Sequence, residues 1–231
     1  MKFSCTQENF ITGLQLVSHV VGRGTALPIL SNILLKTSKA GLELTATNLE
    51  VAIVTTVRGK VEQEGMVAVN ARLLVETVAL FPKDRIDLEL KETNVVLRCG
   101  KYRTSIKGML ADDFPVIPAV SQGNEVVLVT SDLENTLNQV VFTVNPEESR
   151  PEIGGVYFKI NKNNLVVVGT DSYRLAEREV KILSTTEPNG YSLIIPIRAV
   201  QEVARVLATN EGEVKMISNE NQILWQLGET R

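Results

Sequence analysis

Apolar and polar positions along the 231-residue chain follow two periods that alternate in a fixed order. Behind a short apolar start, Phe10, Leu14, Val17 and Val21 recur at helical spacing. Leu133, Leu137, Val140, Val141 and Val144 do the same further on, behind Ser131 and Glu134, whose spacing is that of a capping box. After each of these helices the pattern predicts a pair of strands, then a further strand (the 167–180 region in the second half), then a second helix. In the first half that helix opens at Asn70, an N-cap residue type. In the second it opens behind Pro196, suited to a first turn, with Val200, Val203, Ala204 and Leu207 as its core stripe. Two more strands follow in each half.

The shared order is an internal repeat. LPILSNILLKTSKAGLELTATNLEVAIVTTVRG runs parallel to RPEIGGVYFKINKNNLVVVGTDSYRLAEREVK, with Pro28 on Pro151 and Thr47-Asn48 on Thr170-Asp171. Arg72 falls on Arg198 and Asn94 on Asn221, with small drifts in offset where loops differ. The expected fold class is therefore α+β: tandem repeats, each with two helices packed on antiparallel strands. The predicted domains are residues 1–118 and 125–231, joined by the Pro- and Gly-bearing stretch ADDFPVIPAVSQGNE. The first repeat continues past Gly100 with a final strand. The second is read as cut short before its equivalent.

Composition narrows the function classes. No apolar run reaches the roughly 18 residues of a membrane span, and the start turns polar too early for a signal peptide. Cys5 and Cys99 cannot build a disulfide framework, and they read as small buried hydrophobes in a reducing, cytoplasmic setting. The net charge of −3 argues against a protein that grips nucleic acid over its whole surface. That charge is uneven. Residues 1–117 carry 14 Lys+Arg against 12 Asp+Glu, and the remainder 10 against 15.

No catalytic constellation is legible. The single histidine, His19, lies on a predicted amphipathic helix with no local partner. The cysteines lack the spacing of a zinc site. Gly22 and Gly24 in VVGRGTALP follow a helix and lack the third glycine of a dinucleotide loop, and Asp112-Asp113 sit in the linker. Neither a metal nor a cofactor is expected. The stretch GTDSYRLA reads as strand, turn, strand, with Asp171 and Ser172 as turn formers. Its counterpart TATNLEVAI keeps the turn but lacks the Tyr-Arg pair. The scaffold thus explains the turn and leaves Tyr173 and Arg174 open, either as packing residues or as a recognition site.

Taken in order, MKF, RGTALPILSNILL, LTATNLEVAI, ADDFPVIP, RPEIGGVYF and GTDSYRLA resemble the bacterial DNA polymerase sliding clamp family over the whole chain. The resemblance implies three such repeats per subunit and two subunits closing head to tail around duplex DNA, with helices lining the hole. Only the first repeat and most of the second are present here, and the third is absent. It implies a non-enzymatic processivity subunit whose partners are duplex DNA, the polymerase, the clamp loader and repair proteins. The DNA-facing residues it implies are Arg72, Arg198 and Arg205. Arg23 joins them as a neighbour of the family's usual loop position, which aligns nearest Gly24. The matching turn in the family lines a pocket for a short linear motif. Carried over, Thr170, Ser172, Tyr173, Arg174 and Leu175 are pocket residues with Ile153 as the floor, the rest coming from the third repeat. The family often has Gly-His where this chain has Ser172-Tyr173. The competing expectation is a repeat-built interaction module, such as a decoy that binds loader or polymerase without encircling DNA.

Overall fold

The computed structural model describes residues 1–22, 27–120, 122–146, 150 and 153–231. These form two compact units, meeting in sequence at Ile117 and Pro118. The first unit runs β1 (Lys2–Thr6), α1 (Gln7–Ser18), β2 (Asn32–Ser38), β3 (Gly41–Thr47), β4 (Ala52–Val57), β5 (Lys60–Gln63), β6 (Gly65–Asn70), α2 (Ala71–Ala79), β7 (Arg85–Lys91), β8 (Asn94–Cys99) and β9 (Tyr102–Met109). The second runs β10 (Asn124–Val129), α3 (Thr130–Asn138), β11 (Gly155–Ile160), β12 (Asn164–Thr170), β13 (Leu175–Lys181), β14 (Ser184–Thr185), β15 (Tyr191–Pro196), α4 (Ile197–Leu207), β16 (Glu213–Ser218) and β17 (Ile223–Gln226).

In the first unit nine strands form one antiparallel sheet, ordered β4-β3-β2-β6-β9-β8-β7-β1-β5. Strand β9 is the hinge of that order. Residues Tyr102 to Lys107 pair with β8, and Gly108 and Met109 pair with β6. The second unit repeats the two halves as separate four-stranded sheets, β14-β10-β16-β17 and β13-β12-β11-β15. Among the described residues no strand takes the place of β9, so β15 and β17 each keep one unpaired edge.

Each unit packs its two helices against each other, and α1 also lies on β3 and β4. The approach of α1 is close because of Gly13, where a Cβ would come within 2.7 Å of Val57 Cγ2. Phe10, Leu14 and Val17 form the buried stripe as expected, but it continues through Val20 rather than Val21. Asn70 caps α2 by accepting from the Leu73 amide. In α4, Val200, Ala204 and Leu207 are buried, while Val203 is only half-buried and Val206 takes its place in the core. Edge-to-face packing of Phe158 on Trp225 (6.4 Å) and a 2.8 Å bond between the Tyr191 and Ser218 hydroxyls tie the two sheets of the second unit together.

Three expectations need correcting. The capping box is absent: α3 begins at Thr130, one residue ahead of Ser131, with no side-chain cap. Glu134 instead accepts a bond from the Asn138 side chain. That helix is also shorter than its apolar stripe. It ends at Asn138, and Val141 to Thr143 form a separate 3-10 turn that carries the stripe on to Val144. Between the early strands and the second helix lie additional strands. The short β5 and β14 carry polar residues and escape a search for apolar alternation. Both are edge strands, held by pairing with β1 and β10.

Candidate docking turn and helix face

The turn between β12 and β13 is built by side chains bonding to their own backbone. Thr170 Oγ1 donates to the Arg174 carbonyl (2.8 Å) and accepts from the Ser172 amide (3.1 Å). Asp171 Oδ1 accepts from the amides of Tyr173 (3.1 Å) and Arg174 (3.0 Å). Ser172 occupies the left-handed region at φ 74°. Short polar side chains at the first two positions satisfy amides that would otherwise need water.

The first repeat carries the same wiring. Thr47 Oγ1 donates to Val51 O and accepts from Leu49 N. Asn48 Oδ1 accepts from Glu50 N and Val51 N, and Leu49 sits at φ 77°. Every bond has its counterpart 123 residues on. The backbone of the turn is a property of the repeat.

The second turn differs in what it displays. Arg174 Nε donates to Asp171 Oδ2 at 3.0 Å. Its other arm donates to the Phe142 carbonyl at 2.9 Å, with the guanidinium 5.5 Å from the Phe142 ring centroid. The Phe142 segment lies close to β12 because residue 169 is glycine. A Cβ there would meet Thr143 Oγ1 and Val144 Cγ2 at 2.7 Å each. Arg174 is thus a strut, anchored on both sides. The amide of Arg174, helped by that of Tyr173 and by the guanidinium, holds the Asp171 carboxyl below its ordinary range against the opposing effect of burial. Between strut and strand, Tyr173 is 98% exposed and Leu175 65% exposed. Ile153, half-buried, lies two residues before β11, at the sheet end where β12 stops. Of the six pocket expectations, Thr170 and Arg174 spend their polar atoms on the turn, Ser172 shapes it, and Tyr173 and Leu175 face outward.

Arg72 and Arg198 are exposed on α2 and α4. Arg72 is held by Glu76 at 2.8 Å, and Arg205, with a quarter-exposed side chain, by Glu202 at 2.9 Å. Arg23 lies outside the described residues. The four helices together carry Arg72, Arg198 and Arg205 against Glu8, Glu76, Asp132, Glu134 and Glu202, so they are not a cationic surface. Among the described residues no cluster of three His, Cys, Asp or Glu could hold a metal ion. Burial pushes the Cys5 thiol up to about 12, far from a reactive thiolate. Sequence reasoning missed Phe142, whose carbonyl and ring fix Arg174. The outward parity of Tyr157 in GVYFKI was the legible sign of a second apolar feature on this sheet.

Two copies of one sheet-and-helix-pair unit, one of them displaying apolar side chains on a preformed turn, define a repeat-built scaffold of the sliding-clamp fold. The chain belongs to the DNA polymerase III beta subunit family: the model of its N-terminal domain matches residues 1–118, and that of its central domain residues 127–231. The beta sliding clamp of Bacillus subtilis is 28% identical over 98% of this chain and 62% of its own length. The crystal structure of the DNA polymerase III beta subunit of Pseudomonas aeruginosa superposes with a TM-score of 0.93 at 29% identity, covering all of this chain and 63% of that one. The DNA polymerase sliding clamp of Bacillus subtilis gives 0.92 at 27%, with the same coverage. The chain thus spans less than two thirds of the relatives it matches.

Proposed function

We propose that the protein to which these two units belong is an accessory clamp subunit. It encircles duplex DNA, tethers a replicative polymerase there, and receives polymerase, clamp loader and repair proteins through a short linear motif at the β12–β13 turn. One observation carries the docking part. Tyr173 and Leu175 stand almost bare on a turn whose backbone is locked by Thr170, Asp171 and Arg174. Exposed apolar anchors on a rigid mount lose little entropy on binding, which suits a short peptide. Encirclement fits the charge of the helices. A ring that holds DNA by topology needs few phosphate contacts and must slide, and Arg72, Arg198 and Arg205 are a small set for that purpose.

The test is fluorescence anisotropy with a labelled clamp-motif peptide. This chain supplies part of the pocket, so binding is expected to be weak, near the high-micromolar range. Tyr173→Ala and Leu175→Ala should each weaken it about five- to tenfold, equivalent to roughly 1–1.4 kcal/mol. Indifference to both changes would place the site elsewhere. A second reading is an interaction module that never encircles DNA and needs no cationic helix face at all. Salt-resistant retention by the clamp loader on nicked circular DNA, lost on linearising it, would exclude that reading.

A further inference from the structure

The backbone wiring of the β12–β13 turn is common to both repeats, and the first repeat is therefore a reference for what the second has added. At the shared offset of 123 residues, α1 and α3 begin together at Gln7 and Thr130. Their buried positions coincide as well: Phe10 with Leu133, Leu14 with Leu137 and Val17 with Val140. They do not end together. Helix α1 runs on to Ser18, whereas α3 stops at Asn138, three residues short of the equivalent position, Val141. The chain leaves the helix there as the Val141–Thr143 3-10 turn, held by the Thr143 hydroxyl donating to the Val140 carbonyl at 2.7 Å.

Two changes of residue meet that early ending. Ala46, fully buried in β3, has Gly169 as its counterpart in β12. The missing Cβ lets the 3-10 turn settle on the strand, since it would lie 2.7 Å from Thr143 Oγ1 and Val144 Cγ2 and 2.9 Å from Val140 Cγ1. Val51, which has no side-chain donor, has Arg174 as its counterpart. A helix that stops leaves carbonyls without amide donors. Arg174 Nη2 meets the Phe142 carbonyl at 2.9 Å, while Nε of the same fork holds Asp171 at 3.0 Å and the Phe142 ring lies 5.5 Å from the guanidinium. A shortened helix, a lost methyl and a gained guanidinium thus converge on one point. None of the three is needed to form the turn, because the first repeat forms it without them.

Given the docking reading above, we infer that Gly169 and Phe142 are positioning residues for the docking turn. They seat the Arg174 strut, and the strut fixes the direction in which Tyr173 and Leu175 are presented. Order already present in the free protein does not have to be supplied on binding. Loosening the strut therefore weakens affinity without removing a contact to the peptide.

The isotope-labelled 231-residue chain is measured by backbone amide relaxation without ligand, and by fluorescence anisotropy with the labelled clamp-motif peptide. Gly169→Ala installs the residue of the first repeat and pushes the 3-10 turn off β12. Order parameters of the Tyr173 and Arg174 amides are expected to fall from about 0.85 to about 0.6 or less. The peptide Kd is expected to rise about five- to tenfold. Phe142→Ala keeps the carbonyl and removes the ring, with a smaller rise of about two- to threefold. The Phe142 side chain is exposed, so this variant is expected to stay folded, as read by Trp225 fluorescence. Phe142→Tyr keeps both ring and carbonyl and should restore the original order parameters and affinity. Order parameters unchanged in both alanine variants would overturn the inference. So would a loosened turn that binds the peptide as tightly as before. An unaltered chain that ignores the peptide, with the turn still loosened by both changes, would sink the docking reading and uphold the positioning of the turn.

Discussion

Truncating Phe114 to Ala tests whether the segment after β9 is part of the first unit's core. A phenylalanine buries on the order of 150–250 Å². At about 25 cal/mol per Å² this corresponds to roughly 4–6 kcal/mol, and an extended-chain reference overstates such figures by about 10–40%. Phe114 is 7% exposed, so nearly all of its area counts. The alanine keeps its own Cβ, and a site near the surface can partly collapse, which leaves an expected loss of about 2–4 kcal/mol. Val116, two residues on and 91% exposed, is the internal control. Val116→Ala should cost less than about 0.5 kcal/mol. With a urea slope near 2 kcal/mol/M, the first change lowers the midpoint of the first unit by about 1–2 M and the second by no more than about 0.3 M. Far-UV circular dichroism follows both units, and the fluorescence of Trp225, the single tryptophan, reports on the second. Equal shifts for Phe114→Ala and Val116→Ala would refute the argument that the ring is seated.

Two further outcomes follow from single atoms. Asp171 and Asn48 make the same pair of backbone bonds, but only Asp171 titrates, and its folded pKa is lowered. A lowered folded value means that the stabilisation is present above the unfolded pKa near 3.9 and is lost as pH falls through the folded value. Exchange protection of the Tyr173 and Arg174 amides should therefore fall below about pH 4, while that of Glu50 and Val51 holds; a parallel loss in both turns would contradict the assignment. Thr130 Oγ1 is buried and without a partner among the described residues, so Thr130→Val should be neutral or raise stability by up to about 1 kcal/mol in thermal denaturation. A loss larger than about 1 kcal/mol would mean that the hydroxyl is satisfied in solution.

The parts of the fold legible in the sequence were those written in side chains of strong local preference. Asn70 announces a helix start, and its carboxamide makes the capping bond. Phe10, Leu14 and Val17 announce a buried stripe and are buried. The repeat itself was legible because register tolerates changes of side chain but not of spacing. Illegible were elements held by partners distant in sequence. Strand β5 is polar and exists because β1 lies beside it, and the 3-10 turn at Val141–Thr143 interrupts what periodicity reads as one long helix. At the turn, the residue types of Thr170 and Asp171 foretold their bonds. Nothing local foretold that Arg174 would reach Phe142, 32 residues away, because that contact depends on Gly169 letting the two segments close.

The two repeats also separate residues that hold shape from residues that present chemistry. Thr47 and Thr170 are identical, and Asn48 and Asp171 share the oxygen that matters, since each side chain bonds backbone amides that have no other partner on the turn. Further along the turn the copies diverge, Glu50 against Tyr173 and Val51 against Arg174, and the second copy adds the Arg174 strut to the shared wiring. The same division runs across the sheet. Leu35 and Phe158 point inward and are both fully buried, whereas the outward pair Leu34 and Ala68 is covered in one unit and its counterpart, Tyr157 and Ile194, stands bare in the other. Free energy explains the pattern. Losing an inward contact or a turn bond costs on the order of 1–3 kcal/mol in either copy, against a total stability of only about 5–15 kcal/mol, so those positions are held to one chemistry. An outward position can change at little cost to folding. The exposed apolar side chains of the second unit, at Tyr173 and Leu175, contribute little to that unit's own stability.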